Sequence, residues 1–121
     1  MAHGGIPVVI DSSGQLGTVS SSRRVKTDIR DMPDATATLM RLRPVEFRYI
    51  AQGENAPLQY GLIAEEVRDV APDLVAHNAG GEVETVYYDK VNAMLLKVVQ
   101  EQQRAIEELK KEMAELREQR K

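Results

Sequence analysis

The sequence predicts an α+β protein: a small mixed domain of short strands and helices, followed by a long C-terminal helix that self-associates as a parallel coiled coil. Three observations predict it. Short apolar runs alternate with polar residues at period two, prolines and glycines separate those runs, and the 33 residues from Asp89 to Lys121 contain neither Gly nor Pro. With 121 residues, 42% of them hydrophobic, the chain can fill one compact core with an appendage and not a second full-sized core.

The elements follow in chain order. Residues 6–22 place Ile6-Pro7-Val8-Val9-Ile10 and Gln15-Leu16-Gly17-Thr18-Val19 on either side of Asp11-Ser12-Ser13-Gly14, a hairpin signal. An isolated hairpin is marginal in water, so this segment is expected to be the end of a longer β-rich part, and residues 1–20 are assigned to it. The start, Met1-Ala2-His3-Gly4-Gly5, has no basic stretch leading into an apolar run, so it reads as an expression start or the edge of an excised segment rather than a signal peptide. Asp31-Met32-Pro33-Asp34 supplies capping and helix-start residues for a short helix over Ala35–Leu42, which Pro44 stops. Val45–Ile50 alternates as a strand, 51–57 has turn composition, and Tyr60–Ile63 is a second strand. Ala64–Val70 is helix-forming until Pro72, Ala79-Gly80-Gly81 is a turn, and Glu84–Tyr88 is a strand. Residues 21–88 thus form the core unit.

Residues 89–121 form the long helix, with Asp89 as its expected N-cap and a length of about 50 Å at 1.5 Å per residue. Asn92, Val99, Ile106 and Met113 fall at heptad position a, and Leu95, Gln102, Leu109 and Leu116 at d. Glu112 at g faces Arg117 at the following e of a neighbouring chain, a pairing that favours parallel strands in register. The alternative is a helix folded back on its own domain. From Val99 onward the apolar stripe is too narrow for that, whereas the wider run Met94–Val99 suits packing on the small domain. The polar layers at Asn92 and Gln102 leave the number of strands open at this point.

Composition excludes several function classes. There is no cysteine, and only His3 and His77 are imidazoles, so a metal site is not expected; no cofactor is expected either. Apolar runs are a few residues long against the roughly 20 needed to span a bilayer, so no membrane partner is expected. Sixteen basic against nineteen acidic side chains and only 4% aromatics give neither the field nor the stacking surface of a nucleic-acid binder.

One stretch has the residue types for chemistry. Ser20-Ser21-Ser22-Arg23-Arg24-Val25-Lys26 sets hydroxyls near an amine, and Ser with Lys is a minimal nucleophile–base pair. A lysine serves as base only when burial or adjacent cations lower it well below the free value of about 10.4. The same composition also describes a solvated turn.

Ser21-Ser22-Arg23-Arg24-Val25-Lys26-Thr27-Asp28-Ile29 resembles the start of the intramolecular chaperone domain of phage tailspikes, tail fibres and endosialidases, peptidase family S74. The similarity continues through Leu39–Tyr49, Tyr60–Val67 and Tyr87-Tyr88-Asp89-Lys90-Val91, in order, into the helix. The same domain type occurs in membrane-tethered transcription factors resembling myelin regulatory factor. The resemblance implies a homotrimer, hence a trimeric coiled coil, placed C-terminal to a β-rich fibre or enzyme domain of the same chain, which severs itself by autoproteolysis once assembled. It implies Ser21 as nucleophile, Lys26 as base and Ser20–Ser21 as the scissile bond. Where members often carry Asp after the serine, this chain has Ser22. Gly61, ahead of the helix start at Leu62–Glu66, is the candidate oxyanion donor, with a strand-to-helix turn as its other reading. Glu65 and Glu66 are candidates to orient Lys26 or a water, or are surface carboxylates at a helix start. His77 is placed in a polar loop with no role. A trimerisation clamp that never cleaves is the alternative function, and a DNA-binding role resting on Arg23, Arg24 and Lys26 ranks third.

Overall fold

Val67 is the most deeply buried side chain, 1% exposed, and around it gather Leu39, Ala71, Leu74, Val75, Val86, Val91 and Val98. The computed structural model describes residues 8–10, 15–18 and 20–120. Its elements are β1 (Val8–Ile10), β2 (Leu16–Thr18), α1 (Thr36–Leu39), β3 (Val45–Phe47), β4 (Gln59–Gly61), α2 (Ala64–Val70), β5 (Val75–His77), β6 (Val83–Val86) and α3 (Tyr88–Gln119). The strands pair antiparallel, β1 with β2, β3 with β4 and β5 with β6, and no described strand joins two pairs into a wider sheet. The result is a mixed α and β unit with a long C-terminal helix.

β1 and β2 pair Val8 with Thr18 and Ile10 with Leu16, as expected of the hairpin; Ile6, Pro7, the turn at 11–14 and Val19 lie outside the described residues. Val8, Ile10 and Leu16 are all exposed, so the pair adds nothing to the core of this chain. α1 is a single turn rather than the longer helix expected over Ala35–Leu42. Its start is held by Asp34, whose Oδ1 accepts hydrogen bonds from the Thr36 N–H (3.0 Å) and Thr36 Oγ1 (2.6 Å), and these bonds hold the Asp34 carboxyl below its ordinary range.

β3 is shorter than the strand expected through Ile50, because Tyr49 leads into a 3₁₀ turn over Ile50–Gln52 closed by Gly53 at φ 83°. A positive φ is costly for a residue with a side chain, so glycine suits this corner. β4 ends at Gly61, two residues before the expected Ile63. α2 has the expected bounds, and Pro72 ends it by opening a 3₁₀ turn over Pro72–Leu74.

That turn delivers Val75 and Ala76 into β5, a strand the sequence reading left out; His77 is its last residue rather than part of a loop. Asn78 then shapes the hairpin: its Oδ1 accepts from the Gly80 and Glu82 N–H groups (2.9 and 3.0 Å), and Gly81 sits at φ 84°. β6 ends at Val86, so Tyr87 and Tyr88 are not strand residues. α3 begins one residue ahead of the expected cap at Asp89, with Tyr87 at the cap position and no side-chain cap bond. Lys90 secures this start, donating to the Asp73 carbonyl (3.2 Å) and lying 4.7 Å from the centre of the Tyr87 ring.

α3 packs on the small domain through Val91, Met94 and Val98, as its wider early apolar run implied. Val91 and Val98 are one heptad apart at position g. The a and d positions, Leu95, Val99, Ile106, Leu109, Met113 and Leu116, stay exposed, and none of the residues from 99 to 120 is buried.

Candidate active site

The serine run folds into a local cap. Ser22 is the N-cap of a 3₁₀ turn over Arg23–Val25; its Oγ accepts from the Arg24 backbone N–H (3.3 Å) and from Arg24 Nη1 (3.2 Å). Ser20 Oγ in turn accepts from the Ser22 N–H at 3.2 Å. Ser and Asp are both favoured N-caps, so Ser22 fills the structural role that an aspartate at this place would fill. The turn closes with Val25 N–H to Ser22 O (3.2 Å) and Lys26 N–H to Arg23 O (3.1 Å).

This turn sets Ser21 and Lys26 on its two flanks, both exposed. Neither Ser21 Oγ nor Lys26 Nζ has a hydrogen-bond partner among the described residues, and the two are not bonded to each other. Asp28 follows at φ 54°, in the left-handed region that Asp tolerates better than most residues, and the chain bends there. Arg23, Arg24, Lys26 and Arg30 flank Asp28 in the sequence, with Asp31 the next carboxylate. Beyond the bend, Asp31 and Met32 border a shallow cleft on α3 with Leu96, Lys97, Gln100 and Arg104.

Gly61 lies away from this turn, at the end of β4 opposite Val45. A Cβ at Gly61 would stand 3.0 Å from Tyr88 Oη and 3.2 Å from Phe47 Cε1, a tight approach that a side chain here would meet only if those rings shift by a few tenths of an ångström. Tyr88 Oη also accepts a hydrogen bond from the Leu62 N–H at 3.1 Å, tying the first turn of α3 to the β4–α2 connection. Sequence reading missed this link; a Tyr at the strand-to-helix junction was its one visible sign.

Glu66 does not orient Lys26. It takes both ends of the Arg43 guanidinium, Nε to Oε1 at 2.9 Å and Nη2 to Oε2 at 2.6 Å, clamping α2 to the chain before β3. Opposite charges 23 residues apart give no sequence signal. The hydrogen bonds from Arg43 hold the Glu66 carboxyl below its usual range and raise the guanidinium in turn. A carboxyl lowered in the folded state contributes stability above its unfolded value, about 4.3, and that contribution is lost as pH falls through the lower folded value. Arg43→Ala is therefore expected to lower Tm slightly at neutral pH, since the pair is exposed, with the gap from the parent closing in acid. Melting curves of both proteins followed by circular dichroism across pH check this; a gap unchanged below both carboxyl values would rule out the ionised pair as its source.

Among the described residues no three of His, Asp or Glu gather to hold a metal, and no helix is long and apolar enough to cross a membrane.

The described residues thus comprise a small α+β unit, a long helix with an exposed apolar stripe and an exposed turn that carries Ser21 and Lys26. Residues 21–76 match the Peptidase S74 family, chaperone of endosialidase, which supports an S74 intramolecular chaperone domain in this part of the chain. The match begins at Ser21 and takes in Lys26 and Gly61. No curated protein matches the chain.

Proposed function

We propose that this chain is the C-terminal intramolecular chaperone of a phage tail-fibre or tailspike-type protein. It aligns three copies through α3 and frees itself by cutting Ser20–Ser21. The observation that carries this reading is the family match starting at Ser21, with Lys26 five residues on. Ser21 Oγ attacks the Ser20 carbonyl carbon and its proton passes to Lys26 Nζ. The tetrahedral intermediate collapses to an ester as the Ser21 nitrogen leaves with a proton returned by Lys26; water then hydrolyses the ester to a Ser20 carboxylate and the Ser21 hydroxyl. Gly61 is the proposed donor to the oxyanion.

Exposure of Ser21 and Lys26 supports a reaction that waits for assembly. A lysine in water is a protonated, poor base, and contact with another copy is what would remove it from solvent. The same exposure is the observation behind a second reading, a trimerisation clamp of this fold that never cleaves.

Intact mass of the freshly purified protein beside Ser21→Ala and Lys26→Ala, with sedimentation on the same samples, separates the two. The expected result is fragments 1–20 and 21–121 in the parent alone, with trimers in all three. A full-length trimer in every sample would establish the clamp, and cleavage surviving in Ser21→Ala would remove the dyad.

A further inference from the structure

An open groove of about 700 Å³ runs between α1, the β3–β4 pair and the first turns of α3. Leu39, Leu42, Val45, Leu62 and Leu95 give it an apolar lining, and Gly61 lies in its wall. Glu46 is the one charged residue among its described lining, and it has no ion-pair partner among the described residues.

We infer that this groove receives the dyad-bearing segment, residues 21–30, of a second copy of the chain, so that each cleavage site is completed between copies. The inference rests on the self-association proposed above and adds which surfaces meet. Three observations carry it.

The segment has the complementary chemistry. Val25 is 59% and Ile29 55% exposed, and Arg23, Lys26 and Arg30 lie among them without an acidic partner among the described residues. Apolar side chains flanked by cations suit an apolar trough with an unpaired carboxylate.

The groove is continuous with the apolar stripe of α3. Asn92 and Leu95, its contributions from the helix beyond Val91, are the first a and d positions of that stripe. A copy packed along Val99, Ile106 and Leu109 is thereby carried to the mouth of the groove.

The segment's own root lies on the wrong side of the helix. Asp31 and Met32 border α3 at Ala93, Leu96, Lys97, Gln100 and Arg104. At about 100° per residue those positions centre roughly 125° round the helix from Asn92 and Leu95. The segment's root therefore lies on a different face of α3 from the groove that holds Gly61, which favours delivery of the segment to the Gly61 of a neighbouring copy.

Because the chain has no cysteine, introduced thiols report the contact directly. In a Ser21→Ala background, which keeps the chain whole, Val25→Cys is placed in one tagged chain and Met40→Cys, at the groove rim, in another, and the two are folded together. Both positions are exposed, so folding is not at stake; Ile29→Cys serves as a second donor position. The expected result is a disulfide between unlike chains about tenfold above a control pairing Val25→Cys with Ala79→Cys, because only adjacent thiols gain an effective concentration in the millimolar range. A crosslink confined to one chain when both cysteines share it and Cys-free chains are in excess, an assembled protein with no excess over control, or a protein with no assembly would each overturn the inference. Cleavage of the parent is scored separately. Crosslinking without cleavage overturns the proteolytic reading and leaves this one standing, and cleavage with a within-chain crosslink does the reverse.

Discussion

Ile106→Asp is expected to abolish assembly, and self-cleavage with it, while leaving the small domain folded. Ile106 occupies a heptad a position eight residues beyond Val98, the last buried residue of α3, and touches no part of the domain core. In a single chain it is 45% exposed, so an aspartate there costs the isolated fold little. In a trimer the same change sets three carboxylates against one another at the helix axis. Removing the isoleucine alone forfeits about 1.5–3 kcal/mol per chain, and an unpaired buried charge adds several more. Since about 1.4 kcal/mol is tenfold in an equilibrium constant, the loss across three chains exceeds a thousandfold. Sedimentation should therefore give a monomer at concentrations where the parent forms the proposed trimer, with an unchanged circular dichroism signal from the small domain and no fragments by intact mass. Fragments appearing at the parent's rate in a monomeric Ile106→Asp protein would mean that one chain suffices for the chemistry.

Val67→Asp is expected to do the opposite and unfold the domain itself. Val67 projects from α2 into the centre of a core of eight buried residues among the described ones, including Leu74, Val86 and Val91, and no buried polar group is present among the described residues to meet a carboxylate. A charge left uncompensated in such a site costs about 3–5 kcal/mol in addition to the lost burial, against a total stability of about 5–15 kcal/mol for an ordinary domain. A core this small lies at the weak end of that range. Urea titration followed by circular dichroism should show no cooperative transition for Val67→Asp. Val67→Ala, which removes two carbons and leaves a void, should keep a transition weakened by about 1.5 kcal/mol or more. A cooperative Val67→Asp protein near parental stability would show that the core tolerates water at its centre.

The chaperone domain was legible in the sequence to different depths. Pro72 ended α2 at Val70 because a proline lacks the N–H and forces the preceding residue out of helical geometry, and both effects are local. The long helix was legible because Gly and Pro are absent over residues 89–121 and the apolar spacing repeats. Element ends were less so. β3 stops at Phe47 because the 3₁₀ turn behind Tyr49 turns the chain, although Arg48 and Tyr49 continue the alternation. β5 escaped notice because Val75-Ala76-His77 is only three residues long, and its strand character comes from pairing with β6, Val75 opposite Val86 and His77 opposite Val83. Such pairing is decided by the partner, not by the segment.

The site divides in the same way. Ser21, Lys26 and Gly61 were named from the order of residue types and a family likeness, and the cap that Ser22 forms over Arg24 follows from residues two apart. What Glu66 does was settled by Arg43, 23 residues away, and how tightly Gly61 is packed was settled by the approach of Tyr88 and Phe47. The groove that joins Gly61 to the α3 stripe exists only because α1, β3, β4 and α3 meet. By itself, then, the sequence determined the helix breaker at Pro72 and a long helix with an apolar stripe, because these depend on neighbours within a turn or two. The tertiary structure alone decided which carboxylate is paired, which glycine is crowded and which side of α3 Asp31 and Met32 lie against, because each depends on contacts between residues far apart in the chain.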